Sequence, residues 1–197
     1  MDIDNIFYIN LDHRTDRKKH IENELKKMSW LKYMRFNAIK NKNGRFGCAQ
    51  SHLALLEYAK ETNLEYIIIL EDDIHFKNPK MFNELLIKFF KLNMPFDVLL
   101  FVANTTNNIK INNFVSQTKH SYSTAGYLVR NHYYDKLINN IKNNMYNKGY
   151  AIDVYYTHLQ KKDRWFFLRP RTVSQLPGYS DIERKQVNYD KCLLDKI

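Results

Sequence analysis

The chain has only two cysteines in 197 residues, Cys48 and Cys192. They are too few for a zinc-ribbon pattern, and their wide separation fits two free thiols in a reducing compartment better than a disulfide framework. Long apolar runs are also missing: none approaches the ~20 residues of a membrane-spanning helix. The N-terminal Met1-Asp2-Ile3-Asp4 is acidic where a signal peptide is basic and then apolar. These absences predict a soluble, cytoplasmic chain with no transmembrane segment. Low-complexity tracts and internal repeats are absent too, and a hydrophobic fraction of 44% with 14% aromatics excludes a disordered chain. One domain spanning 1–197 accounts for the length and suffices for a substantial core.

What the chain has in excess is positive charge, a formal +10. That favours anionic partners, whether nucleotides, anionic glycans, nucleic acid or a membrane surface, without choosing among them. Much of the excess lies in helix-like segments such as Arg14-Thr15-Asp16-Arg17-Lys18-Lys19, where a solvated helix face is the simplest account.

The most informative segment is Tyr66-Ile67-Ile68-Ile69-Leu70-Glu71-Asp72-Asp73, an unbroken apolar run ending in three carboxylates. Its β-branched stretch has the length of a strand covered on both faces, and the acids fall where that strand leaves the sheet, the edge at which open parallel sheets collect ligands. If the extended geometry persists, Glu71 and Asp73 share one face and Asp72 points the other way. Two such oxygens suit Mg²⁺ or Mn²⁺ bridging to substrate phosphates; the plain alternative is a solvated acidic loop.

Around this segment the pattern alternates. A strand at 6–9 precedes a helix carrying Ile21, Leu25 and Met28. A strand at 35–39 and a turn at Asn43-Gly44 lead to a helix over 48–60 with Leu53, Leu56 and Ala59 inward. The resulting βαβαβ order implies an α/β sheet with parallel strands. Beyond it, Asn78-Pro79 reads as a helix start, with Phe82, Leu85, Leu86 and Phe89 as a core stripe. Strands are expected at 98–101 and 126–129, a mobile loop at 104–117, and a helix capped by Asn131. A short helix from Asp153 through Gln160, an apolar stretch at 165–168 and an extended one at 170–175 complete the pass.

Three motifs then agree: Tyr8-Ile9-Asn10-Leu11-Asp12-His13-Arg14-Thr15-Asp16-Arg17, Gly47-Cys48-Ala49-Gln50-Ser51-His52 and Ile69-Leu70-Glu71-Asp72-Asp73. In this order they resemble glycosyltransferase family 25, which includes bacterial lipooligosaccharide β-galactosyltransferases and collagen galactosyltransferases. The likeness continues at Gly126-Tyr127, Asp153-Val154-Tyr155 and Gln175-Leu176-Pro177-Gly178-Tyr179-Ser180-Asp181-Ile182. The resemblance implies an α/β fold of the GT-A type, Rossmann-like, with a mixed, mostly parallel sheet flanked by helices. It also implies Mn²⁺ or Mg²⁺ as cofactor, and transfer with inversion from a UDP-sugar, galactose or glucose, to a glycan, lipid-linked or protein acceptor. A basic metal-dependent nuclease or nucleic-acid-binding protein is the alternative from charge alone; no binding motif supports it, and nucleic acid is not the expected partner.

On this resemblance Asp73 and Glu71 are the metal ligands, with Glu71 and Asp72 also reaching the donor through water or ribose. Asn10, Leu11 and Asp12 end the first strand where a base or ribose would lie, although Asp12 also suits a helix cap. Arg14 and Arg17 stand where forked donors meet phosphate. Ala38, Ser51, Gly126 and Gln175 complete the donor set. Inversion needs a base for the acceptor hydroxyl; Asp153 is the first candidate and Asp181 the second, with helix capping the other role open to Asp153. A Cys48–His52 nucleophile pair is sterically conceivable but has no visible orienting group. His75, two residues past the triplet, reads as a partly exposed loop histidine.

Overall fold

The first strand, β1 (Ile6–Asn10), is buried at all five positions, because alternate side chains feed two separate cores on opposite faces of the sheet. Ile6 and Tyr8 join Ile21 and Leu25 of α1 (Thr15–Lys27) on one face; Phe7 and Ile9 join Leu55 and Leu56 of α2 (Gly44–Glu61) on the other. β2 (Tyr33–Asn37) and β3 (Tyr66–Glu71) flank β1 in parallel. Ile68 and Leu70 of β3 enter the first core, Ile67 and Ile69 the second. This is a computed structural model describing residues 3–146 and 151–195; Met1 and Asp2, used in the N-terminal charge argument, lie outside the described residues.

After β3 the chain turns into β4 (Ile74–Phe76) and then α3 (Pro79–Lys91), where Asn78 Oδ1 accepts from the Met81 N–H at 3.0 Å and Pro79 takes the first helical position. There follow β5 (Val98–Leu100), β6 (Asn104–Lys110), β7 (Val115–Tyr122), β8 (Gly126–Arg130), α4 (Tyr134–Asn144), α5 (Ile152–Gln160), β9 (Trp165–Leu168), β10 (Val173–Gln175), β11 (Gly178–Ser180), β12 (Lys185–Val187) and α6 (Asp190–Leu193). The main sheet is eight-stranded in the order β2-β1-β3-β8-β5-β9-β7-β6. The pairs β1–β2, β1–β3 and β5–β9 are parallel, and the antiparallel pairs all involve β8 or β7. Those two strands therefore run against the other six, giving the mixed, mostly parallel sheet expected. Among the described residues no helix is long and apolar enough to cross a membrane.

Several local expectations need correction. The second strand lies two residues earlier than expected, at Tyr33–Asn37. Asn43-Gly44 is a helix start instead of a turn: Asn43 Oδ1 accepts from the Arg45 N–H at 3.1 Å and α2 begins at Gly44. Within α2 the inward position is Leu55, while Leu53 is only partly buried. The segment 104–117 is no mobile loop; it forms β6 and the start of β7, a hairpin at the sheet edge. Its Asn and Thr side chains are polar because β6 is mostly exposed, so composition concealed a strand held by main-chain pairing. Asn131 opens a 3₁₀ turn, Asn131–Tyr133, and α4 starts only at Tyr134.

Candidate functional site

β3 ends at Glu71, so the alternation expected for the triplet stops there and Asp72 and Asp73 occupy the β3–β4 turn. As a result Asp72 does not point away: all three acids line one cavity of about 310 Å³. Each is held differently. Glu71 Oε1 accepts from Thr124 Oγ1 at 2.7 Å and lies 3.5 Å from His52 Nε2. Asp72 Oδ2 accepts from the Asn10 amide at 2.7 Å. Arg17 Nη1 reaches both Asp73 Oδ2 at 2.8 Å and Asp72 Oδ1 at 3.3 Å, while its Nη2 donates to the Tyr179 carbonyl at 2.8 Å. Gln175 Nε2 lies 3.4 Å from either oxygen of Asp73.

The electrostatics follow from crowding three acids around one guanidinium. Burial, then repulsion from Asp73, pushes Asp72 up to about 6. Burial and the Glu71 charge also raise Asp73, against the pull of Arg17 and Gln175. Burial works to raise Glu71 as well, but the contacts from His52 and Thr124 outweigh it and hold that carboxylate below its ordinary value. Burial disfavours the Arg17 charge, yet Asp73 and Asp72 outweigh it and keep the guanidinium firmly protonated. Raised acids in a low-dielectric pocket mark uncompensated negative potential. The oxygen-only donor set of Glu71 and Asp73 suits a hard divalent cation. Arg17 engages Asp73 Oδ2, and among the described residues Oδ1 has only the long contact from Gln175.

A second cavity of about 270 Å³ shares Glu71, Asp73, Cys48, Ser180 and Ile182 with the first and adds Asp153, Gln175 and Thr124. Asp153 is the second residue of α5, and Ala151 is the N-cap residue; the Asp153 side chain is turned to the loop before β8, where Oδ2 accepts from the Ser123 N–H at 3.0 Å. Its buried Oδ1 has no hydrogen-bond partner among the described residues. Burial raises its proton affinity, the Ser123 N–H opposes this, and the Glu71 charge adds to it.

Of the residues singled out in the sequence, Leu11, Arg17, Ala38, Ser51, Glu71, Asp72, Asp73 and Asp181 line the first cavity, and Glu71, Asp73, Asp153 and Gln175 the second. Ser51 Oγ accepts from the Ile39 N–H and donates to the Gly47 carbonyl, both at 2.8 Å, so it fastens the β2–α2 connection. Asn10, Asp12, Arg14 and Gly126 line neither cavity. Asn10 is buried and orients Asp72. Asp12 pairs with Arg35 at 2.7 Å. Arg14 is taken up by Asp16 and Asp181, which leaves Asp181 ion-paired. Gly126 sits beneath the turn, where an added Cβ would collide with Ile74 Cδ1. His75 is on β4, not in a loop. The nucleophile pair is disfavoured, because burial and then Glu71 push the Cys48 thiol well up, where it stays protonated.

Sequence reasoning missed Lys40, Lys42 and Arg184, which line the first cavity; dispersed basic residues gave no local signal. Tyr127, noted in the sequence only as part of a motif, has its OH 2.9 Å from His52 Nδ1 with the two rings stacked.

The comparisons with known proteins bear on this geometry. Among solved structures, a Drosophila β-1,4-galactosyltransferase 7 mutant in complex with manganese, UDP-Gal and xylobiose superposes with a TM-score of 0.54, at 12% identity over 93% of this chain and 74% of that one. A glycosyltransferase involved in glycosylation of the PBCV-1 major capsid gives 0.52 at 11% identity, over 96% and 89%. These likenesses establish a GT-A-like fold. In sequence, a putative glycosyltransferase from Haemophilus influenzae is 34% identical over 91 residues, covering 35% of this chain and 32% of the relative. The chain thus spans about a third of that relative's length. A match to glycosyltransferase family 25 (LPS biosynthesis protein) runs over residues 42–156, from the start of α2 through the carboxylate turn to Asp153. The chain therefore belongs to glycosyltransferase family 25.

Proposed function

We propose that the chain is an inverting, metal-dependent transferase that moves a hexose, galactose or glucose, from a UDP-sugar to a glycan, lipid-linked or protein acceptor. One observation carries this reading: Glu71 and Asp73 stand in the wall common to two cavities, one rimmed by bases and the other holding a buried carboxylate with a free oxygen. The first cavity takes the nucleotide diphosphate, with Lys40, Lys42 and Arg184 facing its charge. The second takes the acceptor. The donor's anomeric carbon lies where the cavities meet, and the acceptor hydroxyl approaches it from the Asp153 side.

In this reading Glu71 and Asp73 hold Mn²⁺ or Mg²⁺, which when bound offsets diphosphate charge as UDP leaves. Arg17 keeps the turn in place through Asp72, Asp73 and Tyr179. Asp153 Oδ1 takes the proton of the attacking hydroxyl, while Oδ2 stays on the Ser123 N–H and fixes the carboxylate's direction. The nucleic-acid alternative gains no support from the family or the cavities.

Calorimetric titration of UDP with Mn²⁺ and with EDTA tests the reading. UDP should bind more tightly with Mn²⁺, and Asp73→Ala should abolish the difference while leaving a folded protein, because Asp73 is in a turn and leaves no hole in the core. Equal affinity under both conditions would refute it.

A further inference from the structure

Where α1 meets β4, His20, Glu24 and His75 come together, with one side-chain ligand atom from each within 4.8 Å of the others. We propose that this trio is a second metal site, selective for a borderline transition ion such as Zn²⁺ and separate from the oxygen site on Glu71 and Asp73.

Three features carry the proposal. The donor set is two imidazoles and one carboxylate, which suits Zn²⁺ and not Mg²⁺. Glu24 Oε2 and His75 Nδ1 lie 3.2 Å apart, close to the roughly 3.3 Å edge of a tetrahedron with bonds of about 2.0 Å. His75 Nδ1 is buried and has no hydrogen-bond partner among the described residues, so a donor nitrogen faces a carboxylate without a satisfactory bond between them.

The surroundings are those of a supported ligand shell. Glu24 is buried, at 1% exposure, and both of its oxygens are oriented: Oε1 accepts from Lys27 Nζ at 2.5 Å and Oε2 from the Phe76 N–H at 2.8 Å. His20 Nε2 lies 2.8 Å from the Ile74 carbonyl, the kind of outer contact that sets which imidazole nitrogen keeps its lone pair. His20 and Glu24 are four residues apart on α1 and so share a face. His75 comes from β4, which is held in turn by β10 through the Ser174–His75 register. Three protein ligands leave a fourth position for water, and the partial exposure of His75 gives that position access to solvent. A bound ion would clip α1 to the strand that carries the carboxylate turn.

The test uses the chelator-stripped whole chain titrated with Zn²⁺ by calorimetry, and with Co²⁺ by visible absorption. The expected result is one tight Zn²⁺ per chain that survives Asp73→Ala and Cys48→Ala. His20→Ala and His75→Ala should each weaken it by about 100-fold or more, since even outer-shell changes cost about 10–100-fold in metal affinity. Co²⁺ should give the visible bands of a low-coordinate nitrogen–oxygen site without a thiolate charge-transfer band. Glu24→Gln, which keeps the acceptor for the Phe76 N–H, is a third variant should either alanine variant fail to fold, and it should weaken binding as well. No Zn²⁺ binding, binding unchanged in these variants, or a thiolate band placing the ion on the separate Cys48–His52–Glu71 cluster, whose ligand atoms also lie within 4.8 Å of one another, would overturn the proposal.

Discussion

At the scale of single residues, the candidate site gives its carboxylates different surroundings. Asp153 tests this most directly. Its Oδ1 is buried and unpartnered, and the fold raises its proton affinity, so it is set up to accept a proton while adding nothing to stability as an anion. Asp153→Asn keeps an acceptor for the Ser123 N–H and removes the proposed base. Sugar transfer should fall by about 10²–10⁴-fold, the usual loss with a general base, while UDP affinity with Mn²⁺ stays near that of the parent. The melting temperature at pH 8 should hold or rise, because a carboxylate with a raised folded pKa destabilises the folded state at pH values above that pKa. Transfer rates and thermal unfolding measured on one preparation decide the matter; near-normal turnover would move attention to Asp181, despite its pairing with Arg14.

At the scale of elements, α2 illustrates a local rule overridden by tertiary contact. Gly47 lies inside this helix, where Gly→Ala ordinarily stabilises by about 0.8–1.0 kcal/mol. A Cβ there would stand 2.5 Å from the Ile39 carbonyl oxygen, with Asn41 Cβ at 3.2 Å. Backbone cannot yield as a flexible side chain does, and overpacking of this kind costs about 1–3 kcal/mol. Gly47→Ala should therefore lower the denaturation midpoint and weaken UDP binding, since Ile39, Gly47 and Ser51 line the first cavity together. A more stable variant would show that the connection gives way.

The βαβαβ order and the strand into Glu71 were legible in the sequence because buried strands need unbroken apolar runs. The β6–β7 hairpin was not, because an exposed edge strand is held by main-chain bonds that leave no mark on side-chain composition. The acids were found as a cluster, but their directions were misjudged at Asp72, since nothing local announces that β3 stops at Glu71. The roles of Asn10 and Arg14, which brace acids rather than line a cavity, depend on partners 62 and 167 residues away.

At the scale of the whole molecule, Asp97, away from the site, is tuned in the opposite direction to Asp72, Asp73 and Asp153. Asp97 joins Arg164, through its N–H at 2.8 Å and its guanidinium, to His132 at 2.9 Å. Burial works to raise Asp97, and these bonds outweigh it, so its folded pKa is lowered. A depressed carboxylate stabilises above its unfolded value of about 3.9, and that contribution is lost as pH falls through the folded pKa. Asp97→Asn should lower stability near neutrality by about 1–3 kcal/mol, and the difference from the parent should shrink as pH falls below about 4. Urea unfolding at several pH values checks both parts; a pH-independent difference would mean that packing, not charge, is lost.

The β6–β7 hairpin has a further consequence. Asn104 and Tyr122 at its base, with Ser123 and Thr124 just beyond, belong to the second cavity, and none of the four lines the first. β6 is the edge strand and is paired only with β7 among the described residues, so its exposed positions can change without disturbing the parallel strands beside the proposed nucleotide cavity. If the second cavity takes the acceptor as proposed, changes in this strand should alter acceptor preference and leave UDP affinity unchanged. Exchanging the exposed β6 positions between related chains and measuring which hydroxyl receives the sugar checks that expectation.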